Sequence, residues 1–372
     1  MHYWRLVLQR GTAKAATTNG GTANAVTTNG RVVVLLGIIA ALLIACSAAA
    51  APTATPAPAP TAVPPTETPG PTYDNPVYQP DFPDPFVLPV GDSYYAYSTS
   101  VGRVNIPTVH SDNLAAWEFL GDAFPAPPEW AAVTQGLWAP GVLARDNRYV
   151  LYYSLEYADT GRRCISRAVS QEPAGPYEDD SEEPFICQSD LGGAIDPHPF
   201  VDDDGTPYLL WKNDGNCCGL AVKIWIQELS EDGLALLGSP VELIERDQAW
   251  ERPLIEHPAM WLHEGDYYLF YSANWWESHE YAVGYAVCET VTGPCVKPQQ
   301  EPILSFTPEV MGPGGEMLFT DEEGNLWMAY HAWTGPDVGY PAGLRSLRID
   351  PITFEDGKPV IHGPTDDPQS LP

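Results

Sequence analysis

Three acidic residues stand in similar sequence contexts and could share one chemical task. Asp84 and Asp196 each precede a proline, and Glu256 is followed by His257 and then a proline. Solvated turn carboxylates are the alternative, but carboxylates with apolar neighbours have perturbed pKa values of the kind found at active sites. Two such groups can divide general acid and general base work, as the hydrolysis of a glycosidic bond requires.

A repeated segment indicates how these residues are positioned. Five short aromatic strands recur at intervals of 56, 58, 60 and 59 residues, and their last aromatics are Tyr97, Tyr153, Trp211, Tyr271 and Tyr330. Turn signals and another apolar strand precede each copy, which is typical of β-hairpins. The regular period predicts an all-β, five-bladed β-propeller over about residues 73 to 362. A β-sandwich is the alternative, but its strands need no fixed long period.

The first strand of each propeller blade lines the central channel, so matching positions at its start converge on one axis. Counting back from the five aromatics reaches Asp84, Ala139, Asp196, Glu256 and Gly315. We therefore predict that the three carboxylates occupy equivalent positions and share one funnel.

The charge of the chain restricts its partners. The 372 residues include 18 Lys or Arg and 49 Asp or Glu, for a formal charge of −31. Nucleic-acid binding depends on clustered basic side chains, so this composition argues against it. Hydrophobic residues make up 44% of the chain, which is enough for a buried core.

The N-terminal region has the composition of an export segment. An uncharged apolar run, 32–45, follows Arg31 and is shorter than a bilayer span. Leu43 to Cys46 resembles a bacterial lipobox, which predicts a signal segment over 1–45 that is cleaved before a lipidated Cys46. A buried core helix is the alternative. Residues 46–72 are rich in Pro, Ala and Thr and predict an extended tether, leaving 73–372 as the catalytic domain.

Six further cysteines favour disulfides in an exported chain. Sequence proximity pairs Cys164 with Cys187 and Cys288 with Cys295, which leaves Cys217 and Cys218 as a vicinal bridge. Spacing alone does not determine this connectivity.

Several motifs in this order resemble glycoside hydrolase family 43: Asp81–Phe86, Leu137–Pro140, Ala194–Gly205, Ile255–Pro258 and Gly312–Gly314. The likeness covers about residues 73 to 355. It implies a five-bladed propeller that acts on arabinose- and xylose-containing plant polysaccharides with inversion at the anomeric carbon. By position, it implies Asp84 as general base, Glu256 as general acid, and Asp196 as the carboxylate that orients the acid and tunes its pKa.

Other side chains are candidates for sugar contacts, with core packing as the alternative for each aromatic and histidine. They are Trp138, His198, His257, Trp275, His331 and Arg345, with Trp276 and Trp333 as further rings and Arg348 as an alternative to Arg345. Relatives that cleave arabinan often have a histidine after Gly-Pro-Gly, near an axial calcium. Here Gly315 and Glu316 follow instead. We therefore expect no required cofactor, with a structural calcium on the axis as the alternative. We expect Glu316 to face solvent, with contact to a cation as the alternative.

Together these observations predict an exported, lipid-anchored and monomeric inverting glycosidase whose partner is a polysaccharide or oligosaccharide. A surface propeller that binds carbohydrate without cleaving it is the alternative.

Overall fold

A computed structural model describes residues 72–132, 136–145, 147–334 and 337–371. The predicted signal segment 1–45, Cys46 and all of the predicted tether except Thr72 lie outside the described residues. Nearly all regular structure is β-strand, and the only helical segments described are two 3₁₀ turns, Ser189–Leu191 and Gly215–Cys218. In the part of the chain that is described, no helix is long and apolar enough to cross a bilayer.

The strands form five blades, as predicted. Two N-terminal strands, β1 (Thr72–Tyr73) and β2 (Tyr78–Asp81), precede them. Blade I contains β3 (Phe86–Val90), β4 (Ser93–Tyr97), β5 (Pro107–Ser111) and β6 (Glu118–Asp122). Blade II contains β7 (Ala131–Ala132), β8 (Trp138–Arg145), β9 (Arg148–Tyr157) and β10 (Arg162–Ser170). Blade III contains β11 (Ala194–Val201), β12 (Pro207–Asn213), β13 (Lys223–Leu229) and β14 (Leu236–Glu245).

Blade IV contains β15 (Ile255–His263), β16 (Asp266–Ala273), β17 (Ala282–Cys288) and β18 (Cys295–Val296). Blade V contains β19 (Met311–Thr320), β20 (Leu326–Trp333) and β21 (Arg345–Glu355), with β22 (Lys358–Ile361) paired to β21. A last strand, β23 (Gln369–Ser370), pairs with β1. Consecutive strands within the blades are antiparallel, which follows from the short turns that connect them.

The N-terminal segment closes the ring, which the repeat did not predict. Strand β2 pairs with β21 and supplies the outer strand of blade V, so the first and last parts of the fold share one sheet. Asn75 adds a buried clamp: its side-chain amide donates to the Ile349 carbonyl and to Thr365 Oγ1, and its oxygen accepts from the Ile349 amide. The closure therefore pairs residues at opposite ends of the described chain.

The repeated aromatics form the core between blades. All five are at most 1% exposed. Each also donates a hydrogen bond with its polar tip, as buried Tyr and Trp side chains require. The acceptors are Pro173 O for Tyr97, Asp179 for Tyr153, Gln188 for Trp211, Glu251 for Tyr271 and Asp350 for Tyr330. Hydrophobic burial together with one satisfied polar group explains why this position repeats.

The three disulfides predicted from sequence proximity are present. Cys164 bonds Cys187, Cys217 bonds Cys218, and Cys288 bonds Cys295 across β17 and β18.

Candidate active site

Five residues in left-handed backbone conformation surround the channel at the start of the inner strands. Their φ angles are 53° at Asp84, 44° at Ala139, 58° at Asp196, 53° at His257 and 63° at Gly315. In blades II to V the ladder register shifts next to these residues, as at a β-bulge. A bulge re-aims the side chain, and a non-glycine residue held at positive φ is a mark of functional sites.

One expected equivalence is wrong. His257, rather than Glu256, occupies the position of Asp196, because the ladder pairs Glu256 with Ser272 just as it pairs Ile195 with Lys212. Counting from the aromatics missed this because the bulged hairpins differ by one residue in length. Glu256 therefore approaches the channel from one residue before the left-handed position.

In blades II to V, the residue after the repeated aromatic supports the next blade. Ser154 of blade II accepts the Asp196 amide at 3.1 Å, and Ser272 of blade IV accepts the Gly315 amide at 2.8 Å. His331 of blade V accepts the Asp84 amide through Nδ1 at 3.0 Å. Lys212, the corresponding residue of blade III, bonds the Glu256 carboxylate instead. Neighbouring blades thus fix the orientation of every carboxylate in the predicted set.

Asp84 lies in a cationic environment. Arg345 approaches its Oδ1 to 3.5 Å, and Thr99 donates to its Oδ2 at 2.6 Å. Burial favours the neutral acid, but the Arg345 charge and the Thr99 hydrogen bond outweigh it and lower the pKa of Asp84. His331 is neutral here, since burial and Arg345 hold its pKa well below the ordinary value and its Nδ1 accepts a hydrogen bond from the Asp84 amide. Asp84 is therefore an ionised carboxylate.

Asp196 and Glu256 form an electrostatically coupled pair on the same axis. Burial and the Glu256 charge raise the pKa of Asp196 well above its ordinary value, and Asp84 contributes further repulsion. Glu256 accepts from Lys212 at 2.9 Å and from the Tyr281 hydroxyl at 2.9 Å, and its side chain is 12% exposed. The structure thus places an ionised carboxylate, Asp84, and a carboxyl group with a raised pKa, Asp196, at one channel.

Glu316 faces the interior, so the expectation that it faces solvent is wrong. It is fully buried, and Ser272 donates to its Oε2. Burial raises the pKa of Glu316 to about 7. Its backbone carbonyl contacts His257 Nδ1 at 3.1 Å. The residue is buried because it lies within β19, where every residue from 312 to 319 is buried.

The six expected sugar-contacting residues fall into two groups. His198, His257, His331 and Arg345 are buried, and His198 packs 5.7 Å from Phe86 with a pKa lowered to about 3 by burial. Trp138 is half-buried, with the Arg163 guanidinium 3.2 Å from its ring centroid, and Trp275 is 42% exposed. The structure brings His331, Arg345 and His257 around the carboxylates and leaves exposed ring surface on Trp275.

The structure distinguishes Arg345 from Arg348, and Trp276 from Trp333. Arg345 reaches Asp84, whereas Arg348 binds the Thr365 carbonyl and Asp366 at the ring closure. Trp333 is fully buried and donates to the Trp276 carbonyl, so it packs in the core. Trp276 stacks on Trp333 and lies 4.6 Å from the Arg345 guanidinium, and it is half-buried.

Sequence reasoning missed Lys212, Tyr281 and Thr99. Lys212 carried a signal, because it follows Trp211 at the position where three other repeats have serine. Tyr281 stacks on His331 and donates to Glu256, and Thr99 links Asp84 to the Ala139 amide. Neither of these two has a counterpart in the repeat that could have identified it.

The channel residues do not fit a metal ion. Among the described residues, no group of three or more His, Cys, Asp or Glu side chains could hold one. A side chain at position 315 would lie 2.5 Å from His331 Nδ1, so His331 occupies the space that a histidine there would need. No chemical step is derived through a metal, and the expectation that no cofactor is required stays a prediction.

Comparison with known proteins identifies the family of the chain. The model of glycosyl hydrolases family 43 matches residues 73–359. The chain belongs to this family. Family 43 membership indicates the predicted glycosidase class and favours the enzyme interpretation over a non-catalytic propeller.

Curated relatives in family 43 differ in their named substrates. A xylosidase/arabinosidase from Butyrivibrio fibrisolvens is 27% identical over 78% of this chain, and the match spans 56% of that protein. An extracellular endo-α-(1→5)-L-arabinanase from Bacillus subtilis is 24% identical, with 74% of this chain and 86% of that protein covered.

A solved structure supports the fold. A thermostable family-43 glycoside hydrolase is 36% identical, with a TM-score of 0.73 over 80% of this chain and 98% of the other.

Proposed function

We propose that the protein is an inverting glycosidase that releases α-L-arabinofuranosyl or β-D-xylosyl units from plant polysaccharides or oligosaccharides. The observation that carries the proposal is the meeting of three carboxyl groups at one channel, in opposite electrostatic environments on its two sides. Arg345 favours the charged form of Asp84, whereas burial and the charge of Glu256 raise the pKa of Asp196, so this second side of the channel holds a proton. General base and general acid catalysis need one side that is ionised and one side that holds a proton. Relatives named for arabinose and xylose substrates support the sugar class.

The chemistry assigns one role to each carboxyl group. Asp84 removes a proton from water as the water oxygen bonds to the anomeric carbon, and Glu256 donates a proton to the leaving oxygen as the glycosidic bond breaks. Lys212 and Tyr281 hold the Glu256 carboxyl group in place. Asp196, whose pKa is raised by burial and by Glu256, accepts the His257 amide, which fixes its orientation. The acid step requires the proton of this pair to be on Glu256, from which it passes to the leaving oxygen.

The cellular setting is part of the proposal. Relatives named as extracellular support export. We propose cleavage before Cys46, lipid attachment at that residue and a monomeric propeller held on the tether 46–72.

Leaving-group dependence tests the roles of Asp84 and Glu256. The full chain is assayed on xylobiose and arabinobiose and on aryl arabinofuranosides and xylosides. We expect Glu256→Ala to lose about 10³-fold in kcat/KM on the disaccharide and far less on a dinitrophenyl glycoside, whose leaving group needs no proton. Asp84→Ala should lose activity on both. Asp204→Asn, an exposed turn residue, is the matched control.

Two results would contradict the proposal. One is the absence of turnover on every substrate, together with tight glycan binding, which would indicate a non-catalytic propeller. The other is a first-formed sugar with retained anomeric configuration in ¹H NMR spectra, which would exclude direct attack by water.

A further inference from the structure

A vicinal disulfide stands in the loop between β12 and β13. Cys217 is exposed and Cys218 is half-buried. Leu220, two residues further on, is 45% exposed, and the Arg162 guanidinium of blade II contacts Cys218 Sγ. The loop thus presents two sulfur atoms and an aliphatic side chain to solvent, with a cation at their edge.

The loop is held rigidly. Asn213 donates to the Leu191 and Ala221 carbonyls at 3.0 and 2.8 Å, and its oxygen accepts the Lys223 amide at 2.9 Å. The Leu220 amide bonds the Gly215 carbonyl at 2.9 Å. A surface that is already ordered loses little conformational entropy when a ligand binds.

The loop begins at the end of β12 that adjoins the channel, on the side of Glu256. Strand β12 ends beside the start of β11, because Asn213 pairs with Ala194 and Lys212 with Ile195. Lys212 bonds Glu256, and Asp214 interacts electrostatically with Glu256, Lys212 and Arg162. The disulfide therefore follows, within a few residues, the side chains that surround the proposed acid.

A sugar ring matches this surface. One face of a pyranose or furanose ring is formed largely by C–H groups, which pack against polarisable sulfur and aliphatic carbon. Its hydroxyl groups need donors at the edge, and an arginine supplies several. A general acid protonates the oxygen of the leaving group, so the sugar beside the acid is the one that departs.

We propose that Cys217–Cys218, Leu220 and Arg162 form the binding platform for the leaving-group sugar of an oligosaccharide. This inference rests on the proposed function, since it takes Glu256 as the acid.

The test removes the sulfur surface and compares two ligands. Cys217→Ala/Cys218→Ala in the full chain should lower kcat/KM for arabinotriose or xylotriose about tenfold. The inhibition constant of free arabinose or xylose, which fills only the site of the cleaved sugar, should change less than about twofold. Cys288→Ala/Cys295→Ala, which removes the blade IV disulfide, should leave both values near those of the parent chain. Arg162→Met should also weaken the trisaccharide selectively.

An unchanged kcat/KM for the trisaccharide in Cys217→Ala/Cys218→Ala would overturn the platform. Equal loss for trisaccharide and monosaccharide would also overturn it, since the disulfide would then act only on the fold. If the parent chain hydrolyses nothing, the proposed function fails by itself. Calorimetric titration with the trisaccharide then tests the platform by itself. Equal affinity of the parent chain and Cys217→Ala/Cys218→Ala for the trisaccharide would overturn the platform.

Discussion

Arg345 carries the positive charge nearest to Asp84 and so controls whether this carboxyl group can act as a base. We expect Arg345→Met to raise the pKa of Asp84 and to move the acidic limb of the kcat/KM profile upward by about one pH unit. The limb moves to higher pH because the base is active only when it is deprotonated. Measuring kcat/KM for an aryl glycoside as a function of pH gives the shift.

Arg348→Met is the matched control, because Arg348 lies on the same strand, is buried and contacts residues of the closure rather than Asp84. It should lower stability without moving the acidic limb. An unmoved limb in Arg345→Met would exclude Arg345 as the charge that keeps Asp84 ionised.

Glu316 links pH to stability. Its pKa is raised by burial to about 7 from 4.5, so the folded protein retains a proton that the unfolded chain releases. Stability should therefore fall as pH rises from about 4.5 to 7, by about 3 kcal/mol from this group. We expect Glu316→Gln to remove that part of the pH dependence. Urea unfolding at pH 4.5, 6 and 7.5 measures it.

The exposed Glu323→Gln provides the comparison, since its side chain lies in solvent in the β19–β20 turn. It should leave the slope of stability against pH unchanged. The same slope in Glu316→Gln and the parent chain would refute a protonated Glu316.

At the level of single residues, the sequence identified the carboxylates but not all of their surroundings. Asp84 and Asp196 could be selected from their proline contexts and from the repeat, whereas Glu256 was selected by a repeat count that is one residue off. The electrostatics could not, because Arg345 and His331 reach Asp84 from more than 240 positions away. Glu316 was misplaced because an isolated glutamate gives no sign that its strand faces the channel.

The bulged start of the inner strands is the element that the five blades share. Gly315 is the glycine member of this set, and a β-carbon there would lie 2.5 Å from His331 Nδ1 and 3.1 Å from Asp84 Oδ1. We expect Gly315→Ala to destabilise the protein by about 2 kcal/mol or more and to reduce activity, since the His331 ring must move. Chemical denaturation and initial rates measure both effects.

Ala139→Gly tests the same backbone position without a clash. Ala139 has φ 44°, and glycine relieves the cost of a left-handed residue, which is about 1 kcal/mol. This substitution should be neutral or stabilising. Similar losses in both variants would show that the loss in Gly315→Ala does not come from the clash with His331.

At the level of elements, periodicity predicted the blades and their aromatic core, since each copy buries one ring and satisfies its polar tip. The one-residue offset of Glu256 could not be predicted. Bulges change the number of residues in a hairpin without changing the hydrophobic pattern from which the copies are aligned.

The whole molecule depends on a closure between its ends. Asn75 forms four side-chain hydrogen bonds there, to Ile349, Asp350 and Thr365. We expect Asn75→Ala to lower the free energy of unfolding by about 3 kcal/mol. Asn105→Ala, which removes one side-chain bond to the Phe124 carbonyl within blade I, should cost about 1 kcal/mol. Equal effects would show that the closure contributes no more than an ordinary loop contact.

The repeat could not predict the closure, because β2 precedes the first copy of the repeat and has no equivalent in the other copies. Only the pairing of its residues with β21 reveals its role.

The closure also sets an order of events during synthesis. Asp81 accepts a hydrogen bond from the Arg345 amide, which lies 264 positions later in the chain. The Asp84 amide donates a hydrogen bond to His331, which lies 247 positions later. A ribosome-bound chain that lacks blade V therefore has its proposed base without the cation and the imidazole that prepare it, and its outer edge is unpaired. Catalytic competence is acquired only when the last strands emerge, so a chain cut short before β21 is expected to be inert.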